Sequence, residues 1–174
     1  MLGKTHQIGG ACSVIVLGSF LFPPPLSPAM LLYGGAMVAG STLGSLLPDI
    51  DHTQSKISQK AKITSHVVSR MMGHRGWTHT LLVFGLVTAI LFFIVSQIET
   101  AQLLLYYAAL GVSIGYLSHL LLDALTVSGI PAFKPFSDKM IRFARFKTGE
   151  SDPGVQFLLI AGTIGVLYLQ YFKQ

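Results

Sequence analysis

Long apolar runs separated by short polar punctuation dominate this chain. Five such runs stand out, at about residues 6–22, 28–47, 80–98, 101–125 and 154–172. Each approaches the roughly 20 residues that a helix needs to cross a hydrocarbon core. The pattern therefore predicts an all-α integral membrane protein: a single membrane-embedded domain, residues 1–174, with about five transmembrane helices. The first run is short and glycine-containing, which predicts a tilted helix, a thinned bilayer or incomplete spanning. Charged residues keep to the ends of the runs, and Asp123 is the deepest acid.

The polar segments alternate in character. Pro23–Ser27 and Glu99-Thr100 are short and lack Lys and Arg. Residues 48–79 hold Lys56, Lys60, Lys62, Arg70 and Arg75, and residues 126–153 hold Lys134, Lys139, Arg142, Arg145 and Lys147. Only Lys4 and Lys173 lie elsewhere. By the positive-inside rule both basic loops are cytoplasmic, which puts the N-terminus inside and the C-terminus outside. Lys173 is a single mild exception. The net charge of +5 thus sits where orientation signals belong, and no nucleic-acid partner is expected.

Finer signals refine the elements. Lys4 followed by apolar Ala11–Phe22 superficially resembles a signal peptide, but no small-x-small cleavage site follows and Pro23-Pro24-Pro25 leads into another apolar run. The expectation is a retained membrane segment. Gly40-x-x-x-Gly44 and Gly111-x-x-x-Gly115 are spaced for close helix–helix approach, although one such pair is expected by chance among 18 glycines. Ser55–Met72 reads as an interfacial amphipathic helix. Met140–Phe146 fits either a short hairpin or a membrane-skimming segment. Asp152-Pro153 reads as an N-cap followed by proline at the first helical position.

Only 11% of residues are charged, against about 25% in soluble domains. Against that background, three of the seven acids and four of the six histidines fall in three short clusters. These are Pro48-Asp49-Ile50-Asp51-His52, His74-Arg75-Gly76-Trp77-Thr78-His79 and His119-Leu120-Leu121-Leu122-Asp123. The topology brings all three to the cytoplasmic level, where His6 joins them from the first helix. Ionisable groups at membrane depth mark function by default.

The donors are His and carboxylate only, since Cys12 is the sole cysteine and offers no disulfide framework or thiolate cluster. That set suits a divalent metal: Zn²⁺ first, with Mn²⁺ or Fe²⁺ as alternatives. The candidate ligands are His6, Asp49, Asp51, His52, His74, His79, His119 and Asp123. Eight exceed the needs of one ion, so two or three ions fit. His119 and Asp123 share a helix face, about 40° apart, which suits joint ligation, a second-shell pairing or a plain structural hydrogen bond. Asp51 suits a ligand or a general base. Arg75 suits a catalytic contact to a substrate phosphate or carboxylate, and equally a positive-inside position.

The same residues carry a family resemblance. Leu47-Pro48-Asp49-Ile50-Asp51-His52, His74-Arg75-Gly76-Trp77-Thr78-His79-Thr80-Leu81-Leu82 and Gly115-Tyr116-Leu117-Ser118-His119-Leu120-Leu121-Leu122-Asp123 together resemble the YdjM-like family. Thr126-x-x-Gly129, Pro135-Phe136-Ser137-Asp138 and Phe146-Lys147-Thr148-Gly149 extend the likeness into the second loop. The resemblance implies a bacterial inner-membrane protein and a metal-dependent hydrolase. A more distant likeness, to zinc-dependent phospholipases C and nucleases with helical His-x-x-x-Asp/Glu ligands, points to phosphoesters.

The leading expectation is a hydrolase that cleaves a phosphoester of a lipid or lipid-linked substrate at the cytoplasmic face, with membrane lipids as partners and the oligomeric state open. A transporter or ion-binding protein is one alternative, although it should carry polar groups at the midplane and on both sides. A non-catalytic protein whose metal cluster holds four helices together is the other.

Overall fold

The computed structural model describes residues 1–22, 27–51 and 76–172. Five α-helices are described: α1 Gly3–Leu21, α2 Pro28–Gly44, α3 Leu81–Ser96, α4 Gln102–Ala124 and α5 Asp152–Phe172. Two 3₁₀ turns, Pro48–Asp51 and Trp77–His79, follow α2 and precede α3. The expected amphipathic helix at Ser55–Met72 lies outside the described residues.

The apolar runs become helices with small shifts at their ends. Ser27 caps α2, its hydroxyl accepting from the Met30 N–H at 3.2 Å, with Pro28 at the first turn. Thr80 caps α3 through the Val83 N–H at 3.2 Å. Such caps satisfy donors that a helix start leaves unpaired.

Three helices are long and apolar enough to cross a membrane: α2 with its 3₁₀ continuation (Pro28–Ile50), α4 and α5. At 16 residues α3 is shorter, about 24 Å of rise. The distribution of side chains agrees with a lipid setting. Leu86, Ile90 and Phe93 of α3 and Phe157, Leu158, Ile164 and Tyr168 of α5 are exposed. His6, Ser41, His79, His119, Asp123 and Asp152 are buried. Polar-in and apolar-out is the inverse of a water-soluble core.

The closest packing is α2 against α4, and the glycine pairs make it. A Cβ placed at Gly40 or Gly44 would fall on the α4 backbone at Ala108 or Val112. One placed at Gly111 or Gly115 would fall on the α2 carbonyls of Met37 or Ser41. The two G-x-x-x-G pairs therefore interlock, backbone to backbone. Helix α1 lies on both α2 and α4, with Gly9 against Leu122 and Ser118, and Gly10 against Ser41. Helix α5 packs on α1, and α3 on α4.

Between α4 and α5 the chain folds back on itself, with Met140–Phe146 running beside the segment that follows α4. Ile130 and Ile141 exchange backbone hydrogen bonds at 3.1 and 2.8 Å. Gly129 makes this approach with φ +66°, where a Cβ would meet the Ile141 carbonyl. The loop also supports α3, because the Ala132 carbonyl accepts from the Leu81 N–H at 2.9 Å.

Candidate metal centre

Four elements converge at one end of the bundle. Helix α1 supplies His6, the turn after α2 supplies Asp49, the turn before α3 supplies His79, and α4 supplies His119 and Asp123. The Nε2 atoms of His79 and His119 are 3.3 Å apart. His79 Nε2 lies 3.5 Å from Asp123 Oδ2 and 3.8 Å from Asp49 Oδ1. His119 Nε2 lies 3.7 Å from each of the same two oxygens. His6 stacks on His119, ring centroids 3.7 Å apart, with its Nε2 3.3 Å from Asp123 Oδ1. The His and Asp donors fall into two groups of mutually close atoms, His79–His119–Asp123 and His6–Asp49–His119.

These separations test whether a metal fits. An ion bonded to N and O donors at about 2.0–2.2 Å in tetrahedral geometry holds its donors roughly 3.3–3.6 Å apart. The separations of the His79 and His119 Nε2 atoms from each other, from Asp123 Oδ2 and from Asp49 Oδ1 fall at or just above that range. The ring orientations agree. His119 Nδ1 lies 2.7 Å from the Ser45 carbonyl, which can only accept, so Nδ1 carries the hydrogen and Nε2 turns a lone pair into the cluster. Neither nitrogen of His6 makes an aligned hydrogen bond among the described residues: Nδ1 has no partner there, and Nε2 has only its 3.3 Å approach to Asp123 Oδ1. Orphaned buried nitrogens are costly, and ligation is one way to satisfy them. The residues fit a divalent ion.

Burial is uneven. His6, His79, His119 and Asp123 are buried, whereas the Asp49 side chain is 25% exposed. Asp49 therefore marks the open side of the cluster. The site is polar where it is closed to solvent, which strengthens every electrostatic interaction within it.

Supporting contacts hold each donor. Gly115, one turn before His119, brings α2 close enough for the Ser45 carbonyl to reach the ring. The Tyr116 hydroxyl donates to the Thr78 carbonyl at 2.6 Å and so fixes the turn that carries His79. The Thr78 hydroxyl also lies 3.1 Å from His79 Nδ1. The Met1 amine lies 2.5 Å from Asp123 Oδ1, on the oxygen that faces His6.

Asp152 differs from its expected role as a helix cap. Its carboxylate accepts from the Thr5 hydroxyl, from the Leu2 N–H at 2.8 Å and from the Gly149 N–H at 2.6 Å. Gln156 adds a 2.8 Å bond to the Thr5 hydroxyl. This network fastens the first turn of α1, and with it His6, to the start of α5. Replacing Asp152 by Ala is expected to leave buried donors unpaired, at about 1–3 kcal/mol for each group. Metal affinity should fall about tenfold as His6 loosens. Thermal unfolding and metal titration of the purified variant check both, and wild-type values would dismiss the role.

Of the eight residues proposed as ligands, His6, Asp49, His79, His119 and Asp123 come together. Asp51 ends the turn after α2 with its side chain outside the described residues, as are His52, His74 and Arg75. Sequence reasoning missed Ser45, whose contribution is a carbonyl and leaves no side-chain signal. It also missed the part played by Tyr116, although Tyr116 lies within the His119 motif.

Comparison with known proteins places the chain in context. The family model described as YdjM inner membrane protein matches residues 1–172. The chain is 37% identical over 172 residues to the uncharacterized protein YvsG of Bacillus subtilis (strain 168), covering 98% of this chain and 95% of that one. It is 40% identical over 100 residues to the inner membrane protein YdjM of Escherichia coli (strain K12), covering 57% of this chain and 49% of that one. It is 31% identical over 137 residues to the inner membrane protein YbcI of the same organism, covering 78% and 68%. No solved structure matches.

Proposed function

This chain belongs to the YdjM inner membrane protein family, and we propose that it is a membrane-embedded hydrolase with a divalent metal, cleaving a phosphoester of a lipid or lipid-linked substrate at the cytoplasmic face. The observation that carries the reading is the convergence of donors on His79 and His119, whose Nε2 atoms lie 3.3 Å from each other and 3.5 to 3.8 Å from Asp123 Oδ2 and Asp49 Oδ1 at one end of the helices. His/carboxylate donors favour Zn²⁺, with Mn²⁺ or Fe²⁺ next. The two donor groups share His119, whose Nδ1 is committed to Ser45. One imidazole nitrogen serves one ion, so the two groups would serve a metal as alternative donor sets rather than both at once. Further ions would draw on Asp51, His52 and His74.

When bound, such an ion supplies Lewis acidity and makes water nucleophilic near neutral pH. The chain's own groups do the rest. Ser45 holds the His119 tautomer, and Tyr116 and Thr78 hold His79. Asp49, on the open side, would be the donor nearest to substrate, and Asp51 would take up a proton as general base. Arg75 would contact the substrate phosphate. The basic loops orient the protein with this end in the cytoplasm and draw anionic headgroups toward it.

The test is ³¹P NMR of metal-loaded protein in detergent with phosphatidic acid, phosphatidylglycerol and phosphatidylethanolamine. The expected result is cleavage of at least one of these lipids, abolished by a chelator and reduced at least about 100-fold in Asp49→Asn. Fully metal-loaded protein that cleaves none of them sinks the hydrolase. The remaining reading is then a structural centre, which the burial of His6, His79, His119 and Asp123 also favours.

A further inference from the structure

The loop between α4 and α5 carries a second feature, apart from the His/Asp cluster. A pocket of about 340 Å³ is lined by Val127, Arg142, Phe143, Ala144 and Arg145. It is built on the end of α4. The Phe143 N–H donates to the Ala124 carbonyl at 2.8 Å, the Phe146 N–H to the Leu125 carbonyl at 3.0 Å, and the Val127 N–H to the Phe146 carbonyl at 3.1 Å. Arg142 Nε donates to the Ser128 carbonyl at 3.4 Å, which uses one of the five N–H donors of the guanidinium.

The charges around it are unevenly matched. Lys134 pairs with Asp138 at 3.4 Å and Lys147 with Glu150 at 3.3 Å. Among the described residues Arg142 and Arg145 pair with no carboxylate, so this pocket is lined by two arginines whose charge no side chain offsets. Arginine pairs of this kind match phosphate, which they bind through paired N–H donors. Apolar side chains stand beside them: Phe143 and Val127 at the pocket and Phe133 and Phe136 on the same loop are all more than half exposed. The loop leaves the membrane-length helix α4 and enters the membrane-length helix α5, so it lies at the boundary between lipid and water. Cationic groups interleaved with exposed aromatics suit that level.

We propose that the Arg142–Arg145 pocket binds the phosphate of an anionic phospholipid headgroup, with Phe143 and Val127 against the first part of its acyl region. The site stands on its own geometry and holds whether or not the His/Asp centre is catalytic.

The experiment is native mass spectrometry of the full-length protein in detergent with equal amounts of phosphatidylglycerol and phosphatidylcholine of the same chain length. Wild type should retain phosphatidylglycerol preferentially. Arg142→Gln and Arg145→Gln should each lower that retention about fivefold, and the double variant about 25-fold. Lys147→Gln, which removes a paired exposed charge, should change it less than about twofold. Excess inorganic phosphate should displace no more lipid than chloride at equal ionic strength. Undiminished retention in both single variants would overturn the proposal. So would displacement by phosphate beyond the chloride control, which would mean a site for the free anion. Metal content of the same samples, expected to be unchanged, separates this result from the fate of the His/Asp centre.

Discussion

His119→Ala is expected to empty the metal centre, lowering affinity by more than about 100-fold, which exceeds the loss typical of an outer-shell contact. The reason is geometric. His119 belongs to both groups of close donors, its Nε2 lies 3.3 Å from His79 Nε2 and 3.7 Å from both Asp49 Oδ1 and Asp123 Oδ2, and its ring is stacked on His6. Among the described residues, no other touches so much of the cluster. Asp123→Asn keeps the shape but removes the charge, and should approach the same loss. Asp49→Asn, at the exposed edge, should weaken binding without disturbing the fold. Metal titration of the three purified variants checks the ranking. Equal effects at Asp49 and His119 would mean that the cluster is not organised about His119.

The second large effect is expected at Gly115. A leucine there must place its Cβ on the Ser41 carbonyl, which is backbone and cannot swing aside. Overpacking of this severity costs about 3 kcal/mol or more. It should also pull the Ser45 carbonyl away from His119 Nδ1 and so lower metal affinity together with stability. Gly162→Leu is the control, since a side chain there meets open space at the surface of α5. Thermal unfolding in detergent should separate the two by several degrees at least. If Gly115→Leu unfolds like Gly162→Leu, the interlocked packing of α2 and α4 is not what holds the centre.

Much of this was legible because a membrane narrows the choices. Apolar run length predicted the helices, and α2, α4 and α5 proved long and apolar enough to span. The alternation of basic and uncharged connections predicted that His6, Asp49, His79, His119 and Asp123 share one level, and their side chains meet. The two glycine pairs, weak as separate signals, gained meaning only as partners, because each supplies the space the other helix fills.

What stayed hidden has a common physical cause. Backbone groups carry no sequence label, so neither the Ser45 carbonyl on His119 nor the Ala132 carbonyl under α3 could be read in advance. Asp152 did carry a signal, an acid before proline at a helix start. Local reasoning sent its carboxylate to its own helix, whereas the packing of α5 on α1 brought it to Leu2 and Thr5. The run at 80–98 became a helix of 16 residues, Leu81–Ser96, with Gln97 at its C-cap.

The central claim is that these histidines and aspartates hold a metal directly. X-ray absorption spectroscopy of the purified, zinc-loaded protein tests it. The account predicts a first shell of nitrogen and oxygen only, at about 2.0–2.2 Å, with outer-shell scattering from at least two imidazole rings that is lost in His119→Ala. A shell containing sulfur, a shell without imidazole scattering, or a protein that retains no zinc would contradict it.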